Sequence, residues 1–310
     1  MEKVKNYKSS TIIQDGYFTG KEDKNIYYRT YIVEDCKGGI VISHGFCESL
    51  ERYKELIRVF NNNGFSVYAL DHRGHGRSGR LGIDSSQINV EKFDYYVDDL
   101  KTFIDTIVMK DNNEKLFLFA HSMGGAIGSV FLEKYNNYFE CAILNAPMME
   151  IDTGNYPAWF SKIVARLACT FGQGNRYILG QEPFSGKEDL KGSGTSSHKR
   201  YMSYFNKQLK CKELQTGGGS FNWLNEAFKA IKYITKKENA QKVTIPVVLF
   251  QAGKDTFVNS GGQNKFASYA KNCKLVEYKE SKHEIYLEID EIFDKYIVEV
   301  LEFYNSNTLI

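Results

Sequence analysis

The chain has 310 residues, 42% of them apolar and 25% charged, with only 4 prolines. That suits one large α/β domain with an insertion, or two domains, and argues against a linker-rich architecture. A net charge of +2 excludes any global attraction to nucleic acid or an anionic membrane, and no apolar run approaches the length of a membrane span.

Residues 1–16, MEKVKNYKSSTIIQDG, carry charge but no apolar core, so no secretory signal is expected there. From Thr11 to Val33, β-formers alternate with polar residues around Gly16 and Gly20, which predicts an antiparallel pair of strands, 14–20 and 25–33. A short apolar strand, Ile40 to Ser43, runs into His44-Gly45-Phe46. Helical spacing of Tyr53, Leu56, Ile57 and Phe60 predicts a helix from about Leu50, stopped by Asn61-Asn62-Asn63-Gly64. The next strand, Phe65 to Leu70, ends in a loop running from Asp71 to Ser78. Its glycines, Gly74 and Gly76, suggest tight winding, with Asp71, Arg73, His75 and Arg77 bonding to one another rather than holding a metal or phosphate.

Val90, Phe93, Val97, Leu100, Phe103, Ile104 and Ile107 fall on one face of a long amphipathic helix. A buried strand, Leu116 to Ala120, a helix through about Tyr135 and a strand, Cys141 to Leu144, follow. This alternation implies a parallel sheet with helices on both faces. It breaks at Met148, where helical pieces and Gly-rich joints replace strands, and resumes with strand 246–251, helix 263–270, strand 274–278 and a closing helix from about Asp290. The expected division is therefore a core from 1–147 and 245–310, with a helical cap, 148–244, inserted after the sixth strand. Six scattered cysteines without CxxC spacing are expected to be free, mostly buried thiols in a reducing compartment, with the cytoplasm as location.

The chemistry centres on AHSMGG, where the Leu116 strand ends abruptly at Ser122. A serine on such a strand-to-helix turn needs small residues two before and two after it. Ala120 and Gly124 supply them, Ala120 standing where glycine is usual. A hydroxyl becomes a nucleophile only when a base takes its proton and an acid orients that base. Asp255 follows the strand ending at Gln251, and His283 follows the strand ending near Tyr278, so all three ends share one edge of the sheet. Taken singly, Asp255 reads equally well as a turn residue and His283 as a surface histidine; together with Ser122 they read as a catalytic triad. The N–H groups of Met123 and Phe46 are the expected oxyanion donors. His44 is expected to brace its turn and His121 to pack beneath the serine. No metal-ligand, Walker or dinucleotide spacing occurs, so neither metal nor cofactor is expected.

The segments HGFCE, YALDHRGHGRSG, YVDDLKTF, AHSMGG, LNAPM, QAGKDTFV and KHEIYLE together resemble the monoacylglycerol lipase and bacterial lysophospholipase branch of the α/β-hydrolase superfamily. The resemblance extends into the insertion, at TSSHKRYMSYF and GGGSFNWLNEAF. It implies an α/β-hydrolase fold, Ser122 as nucleophile, Asp255 as acid, His283 as base, a mobile cap, and a carboxylic ester of a monoacyl lipid as substrate. A small-ester carboxylesterase or a serine aminopeptidase-like hydrolase remains the alternative; a binding module is disfavoured because all three triad members are present. Trp159, Phe160, Ile163, Val164 and Leu167 recur at helical spacing in the cap, and Trp159 and Phe160 are expected to contact substrate. Between Met148 and Ala240 stand 14 Lys and Arg against 8 Asp and Glu. A basic cap of this kind reads equally as a face that touches an anionic membrane surface, at the inner face of the membrane, and as charge scattered over a solvated surface; no nucleic-acid partner is expected.

Overall fold

The computed structural model describes residues 11–111 and 115–308. Residues 1–10, most of the stretch read as lacking a secretory signal, lie outside the described residues.

Eight strands form one sheet in the order β1-β2-β4-β3-β5-β6-β7-β8. The hairpin β1 (Ile12–Thr19) and β2 (Asn25–Ile32) meets β4 (Ser66–Leu70) antiparallel. From there β3 (Gly39–Ser43), β5 (Leu116–His121), β6 (Cys141–Asn145), β7 (Val247–Ala252) and β8 (Cys273–Tyr278) all run parallel. Successive strand residues point to opposite faces, and each face builds its own core. Ile40, Ile42, Phe117 and Phe119 pack with α1 (Lys54–Asn62) and α9 (Asp290–Thr308) on one side. Val41, Leu118 and Ala120 pack with α2 (Asp94–Thr106) and α3 (Met123–Lys134) on the other. This is the α/β-hydrolase arrangement that the resemblance implies.

Two boundaries move. Leu50–Tyr53 form a 3-10 turn, and the α-helix starts only at Lys54; Asp71 accepts the Leu50 N–H at 2.8 Å and fixes that entry. Val90 is fully buried but precedes α2 in an extended segment that bridges Ile88 to Gly219, so its apolar character reflects burial, not helix. The cysteines differ more: only Cys141 is buried and the other five are partly exposed. Scattered spacing spoke for the absence of disulfides and carried no information on depth.

Between β6 and β7 the chain forms α4 (Ala158–Thr170), α5 (His198–Lys210), α6 (Phe221–Ile234) and the short α7 (Lys237–Ala240). Ser220 caps α6 by accepting the Trp223 N–H at 3.0 Å while its hydroxyl donates to Asn89 at 2.6 Å, joining cap to body. Arg200 of α5 does the same through Glu55 and Asp290.

Candidate active site

Ser122 lies between β5 and α3 at φ 52° and ψ −118°, a conformation that costs a non-glycine residue about 1–3 kcal/mol. Neighbours hold it there: its N–H donates to Asn145 O at 3.1 Å, and its own carbonyl accepts the N–H groups of Ala126 and Met148 at 3.0 and 2.8 Å. The helix that follows must pass very close to β3. A Cβ on Gly124 would overlap the Ser43 carbonyl oxygen, so only glycine fits there.

The strand ends bring the three expected side chains together. His283 Nε2 is 2.8 Å from Ser122 Oγ, and His283 Nδ1 is 2.6 Å from Asp255 Oδ2. Asp255 Oδ1 accepts the N–H groups of Phe257 and Val258 at 2.8 and 3.1 Å, which fixes the carboxylate. Burial raises the Asp255 pKa, but the hydrogen bond and charge of His283 and these two N–H groups outweigh it, so the carboxyl stays ionised. Burial pushes His283 down; its bond to Asp255 and the nearby charges of Asp255, Glu284 and Glu48 bring it above the usual histidine value.

The turn after β3 lies against the first turn of α3. Its Gly45 N–H is taken by Glu48 Oε2 at 2.7 Å. The next amide, Phe46 N–H, and the amide after the serine, Met123 N–H, have no protein acceptor among the described residues. His44 braces the turn as expected: Nδ1 meets Gly45 O at 2.8 Å and Nε2 accepts the His72 N–H at 2.9 Å. His121 does more than pack. Its ring lies 4.7 Å from that of His283, and its Nε2 faces Glu48 at 3.5 Å. Burial holds its pKa down to about 3, so it is neutral in the working range.

The glycine-studded loop departs from expectation in part. Within it, Asp71 accepts the Arg77 N–H at 2.8 Å and His75 Nδ1 meets Arg73 O at 3.0 Å. The two arginine side chains reach outward instead, Arg73 to Asp99 at 2.7 Å and Arg77 to Glu51 at 3.3 Å, and Asp71 also accepts the Leu50 N–H. Among the described residues no group of three or more His, Cys, Asp or Glu is arranged to hold a metal.

Ser122 and His283 open into a cavity of about 920 Å³. Phe160 and Val164 of α4, Ile178, and Phe221, Trp223 and Leu224 of α6 give it apolar walls, while Arg52, Glu284, Tyr201 and Gln208 line a polar part. Trp159 is not where the sequence reading put it. It is 63% exposed on the outer side of α4 and lines no part of the cavity; helical spacing marked an apolar helix without saying which side faces in. The sequence reading also missed Glu48, Arg52 and Glu284 beneath the site. The one available sign was a glutamate three residues after Gly45 in HGFCE.

A family model described as "Serine aminopeptidase, S33" matches residues 34–290. The probable lysophospholipase L2 of Haemophilus influenzae is 27% identical over 292 residues, covering 93% of this chain and 91% of that protein. The mouse monoglyceride lipase is 26% identical over 269 residues, covering 85% and 81%. Among solved structures, a soluble variant of the monoglyceride lipase of Saccharomyces cerevisiae superposes with a TM-score of 0.75 at 22% identity, over 98% of this chain and 97% of that one, a likeness of fold.

Proposed function

This chain belongs to the serine aminopeptidase S33 family of α/β-hydrolases and is a serine hydrolase, and from that premise we propose that it cleaves the carboxylic ester of a monoacyl lipid, a lysophospholipid or a monoacylglycerol. The observation that carries the reading is that Ser122 faces a large cavity whose cap-side walls are apolar.

In this reaction Ser122 Oγ attacks the ester carbonyl as its proton passes to His283 Nε2. Asp255, bonded to Nδ1, holds the ring in the required tautomer and balances the imidazolium that forms. The negative oxygen of the tetrahedral intermediate is met by the N–H groups of Phe46 and Met123. His283 then protonates the leaving alcohol, and water repeats the sequence to release the fatty acid. The walls from α4 and α6 take the acyl chain, each buried methylene contributing about 0.8 kcal/mol. The polar part takes the alcohol. The names of the Haemophilus influenzae and mouse relatives support a lipid ester over a peptide.

The outer face of α4 supports delivery from a lipid surface. Trp159, Ile163, Leu167 and Phe171 follow at four-residue intervals and are 63%, 48%, 48% and 72% exposed. Residues 153–181 contain Lys162, Arg166 and Arg176 and no acidic residue. An exposed apolar stripe flanked by cations suits the boundary of an anionic bilayer. A matched panel tests the whole reading: lysophosphatidylcholine, monoacylglycerols of rising chain length, a short nitrophenyl ester and a prolyl arylamide. Long monoacyl esters should give the highest kcat/KM; preference for the short ester or the arylamide would replace the lipid reading with the corresponding alternative.

A further inference from the structure

Beneath the Ser122–His283 pair lies a buried ionic group that the reaction above leaves without a part. Glu48 is 4% exposed. Its Oε2 accepts the Gly45 N–H at 2.7 Å and the Tyr53 hydroxyl at 2.6 Å, and its Oε1 accepts the Tyr286 hydroxyl at 3.1 Å. Arg52 Nε lies 3.6 Å from Glu48 Oε1, and Arg52 Nη2 is 2.6 and 2.5 Å from the two oxygens of Glu284, the residue directly after His283. One guanidinium therefore joins the carboxylate behind the Gly45–Phe46 turn to the carboxylate beside the base.

Taking a carboxylate out of water costs several kcal/mol, and a core needing only to be filled would do better with an apolar side chain. Here the carboxylate has two consequences for chemistry. By occupying the Gly45 amide it fixes the turn so that the following amide, of Phe46, remains for substrate. In addition, the two carboxylates share one guanidinium, and Arg52 and the Tyr53 hydroxyl help hold the Glu48 carboxyl below the usual carboxylate range against its burial, which keeps a negative charge near the ring that becomes positive when Ser122 is deprotonated.

We propose that Glu48 is a positioning residue for hydrolysis at Ser122: its carboxylate sets the oxyanion turn through Gly45, and its charge, coupled to Glu284 by Arg52, favours the imidazolium of His283. The proposal rests on Ser122 and His283 being nucleophile and base. The groups facing Glu48 are His44 of the turn, Arg52 and Tyr53 after it, His121 of β5, and Glu284 and Tyr286 after the base; those facing His283 are Ser122, Asp255, His121 and Glu284. Of these, Arg52 supplies the positive charge next to Glu48 at neutral pH, since His121 is neutral there.

Two substitutions in the full chain separate the roles, read on a soluble nitrophenyl ester. Glu48→Gln keeps an acceptor for Gly45 and removes the charge; the acid limb of its pH–rate profile should move to lower pH. Glu48→Asp keeps the charge and withdraws it from Gly45; kcat should fall by about tenfold or more with KM unchanged and the acid limb in place. Melting temperatures show whether each variant folds. One that does not is replaced by Tyr53→Phe, which removes one hydrogen bond from the carboxylate and should lower kcat several-fold at constant KM. Wild-type kcat and pH profile in the folded variants, or a change confined to KM or to melting temperature, would overturn the proposal. Ester turnover by Ser122→Ala would instead overturn the reading on which it rests.

Discussion

A methyl group on Gly128 would stand 3.1 Å from the Cβ of Ala120, and 3.0 Å from a methyl of Leu118. The alanine two residues before Ser122, where glycine is usual, is thus accommodated by a glycine one helical turn into α3. Gly128→Ala should therefore cost about 1–3 kcal/mol by overpacking, and Ala120→Gly should cost less, with activity retained. Gly124→Ala should be far worse, because its methyl meets the backbone of Ser43, which cannot turn aside as a side chain can. Urea denaturation of the three variants, read beside ester turnover, checks this order.

Activity should be lost as pH falls through the titration of His283, because only the neutral imidazole accepts the serine proton. Its pKa is raised despite burial, chiefly by the hydrogen bond and charge of Asp255, so the midpoint of kcat/KM should lie above 6.5. Asp255→Asn should lower kcat by about 10⁴-fold through loss of the correct tautomer. A rate that stays flat well below pH 6 would remove His283 as base.

Much of this was legible in the sequence because the residues sit at strand ends, where alternation of apolar runs and turns shows both the strand and its exit. Ser122, Asp255 and His283 each follow such a run. Two things were not legible. Helical spacing identified α4 as apolar but could not orient it, and only the packing of α4 on α6 turns Phe160 inward and Trp159 outward. The Arg52–Glu284 pair joins residues 232 positions apart, and no local pattern marks a contact made only when β8 closes the sheet.

Glu133 of α3 is 3% exposed, and neither of its carboxylate oxygens has a hydrogen-bond partner among the described residues. Burial pushes its pKa up to about 9, against the weaker pull of Lys242 and Lys134. Between the ordinary value of 4.5 and about 9 the folded chain keeps a proton that the unfolded chain releases, so this group makes stability fall as pH rises across that window. Glu133→Gln should remove the slope and be more stable than wild type at pH 8 by about 1–3 kcal/mol, with little difference at pH 4.5. Denaturant midpoints at the two pH values test it; a pH-independent difference would contradict the assignment.

The two aromatic residues of α4 should now separate. Phe160 lines the cavity, so Phe160→Ala should flatten the rise of kcat/KM with acyl length, which is about fourfold per methylene where the chain is buried. Trp159 faces outward, so Trp159→Ala should leave that profile on dispersed substrates intact and weaken binding to vesicles, while the preference of the chain for anionic over neutral lipid should fade in high salt. Vesicle sedimentation with neutral and anionic lipid gives the second readout. Equal effects of both substitutions in both assays would contradict the division.

The most direct test of the central claim is intact-mass analysis after reaction with a fluorophosphonate, followed by peptide mapping. The wild-type chain should gain one adduct, located on Ser122, with loss of ester turnover. Ser122→Ala should gain none while keeping its melting temperature, and His283→Ala should react far more slowly. An adduct on another residue, or ester turnover near wild type in a folded Ser122→Ala chain, would contradict it.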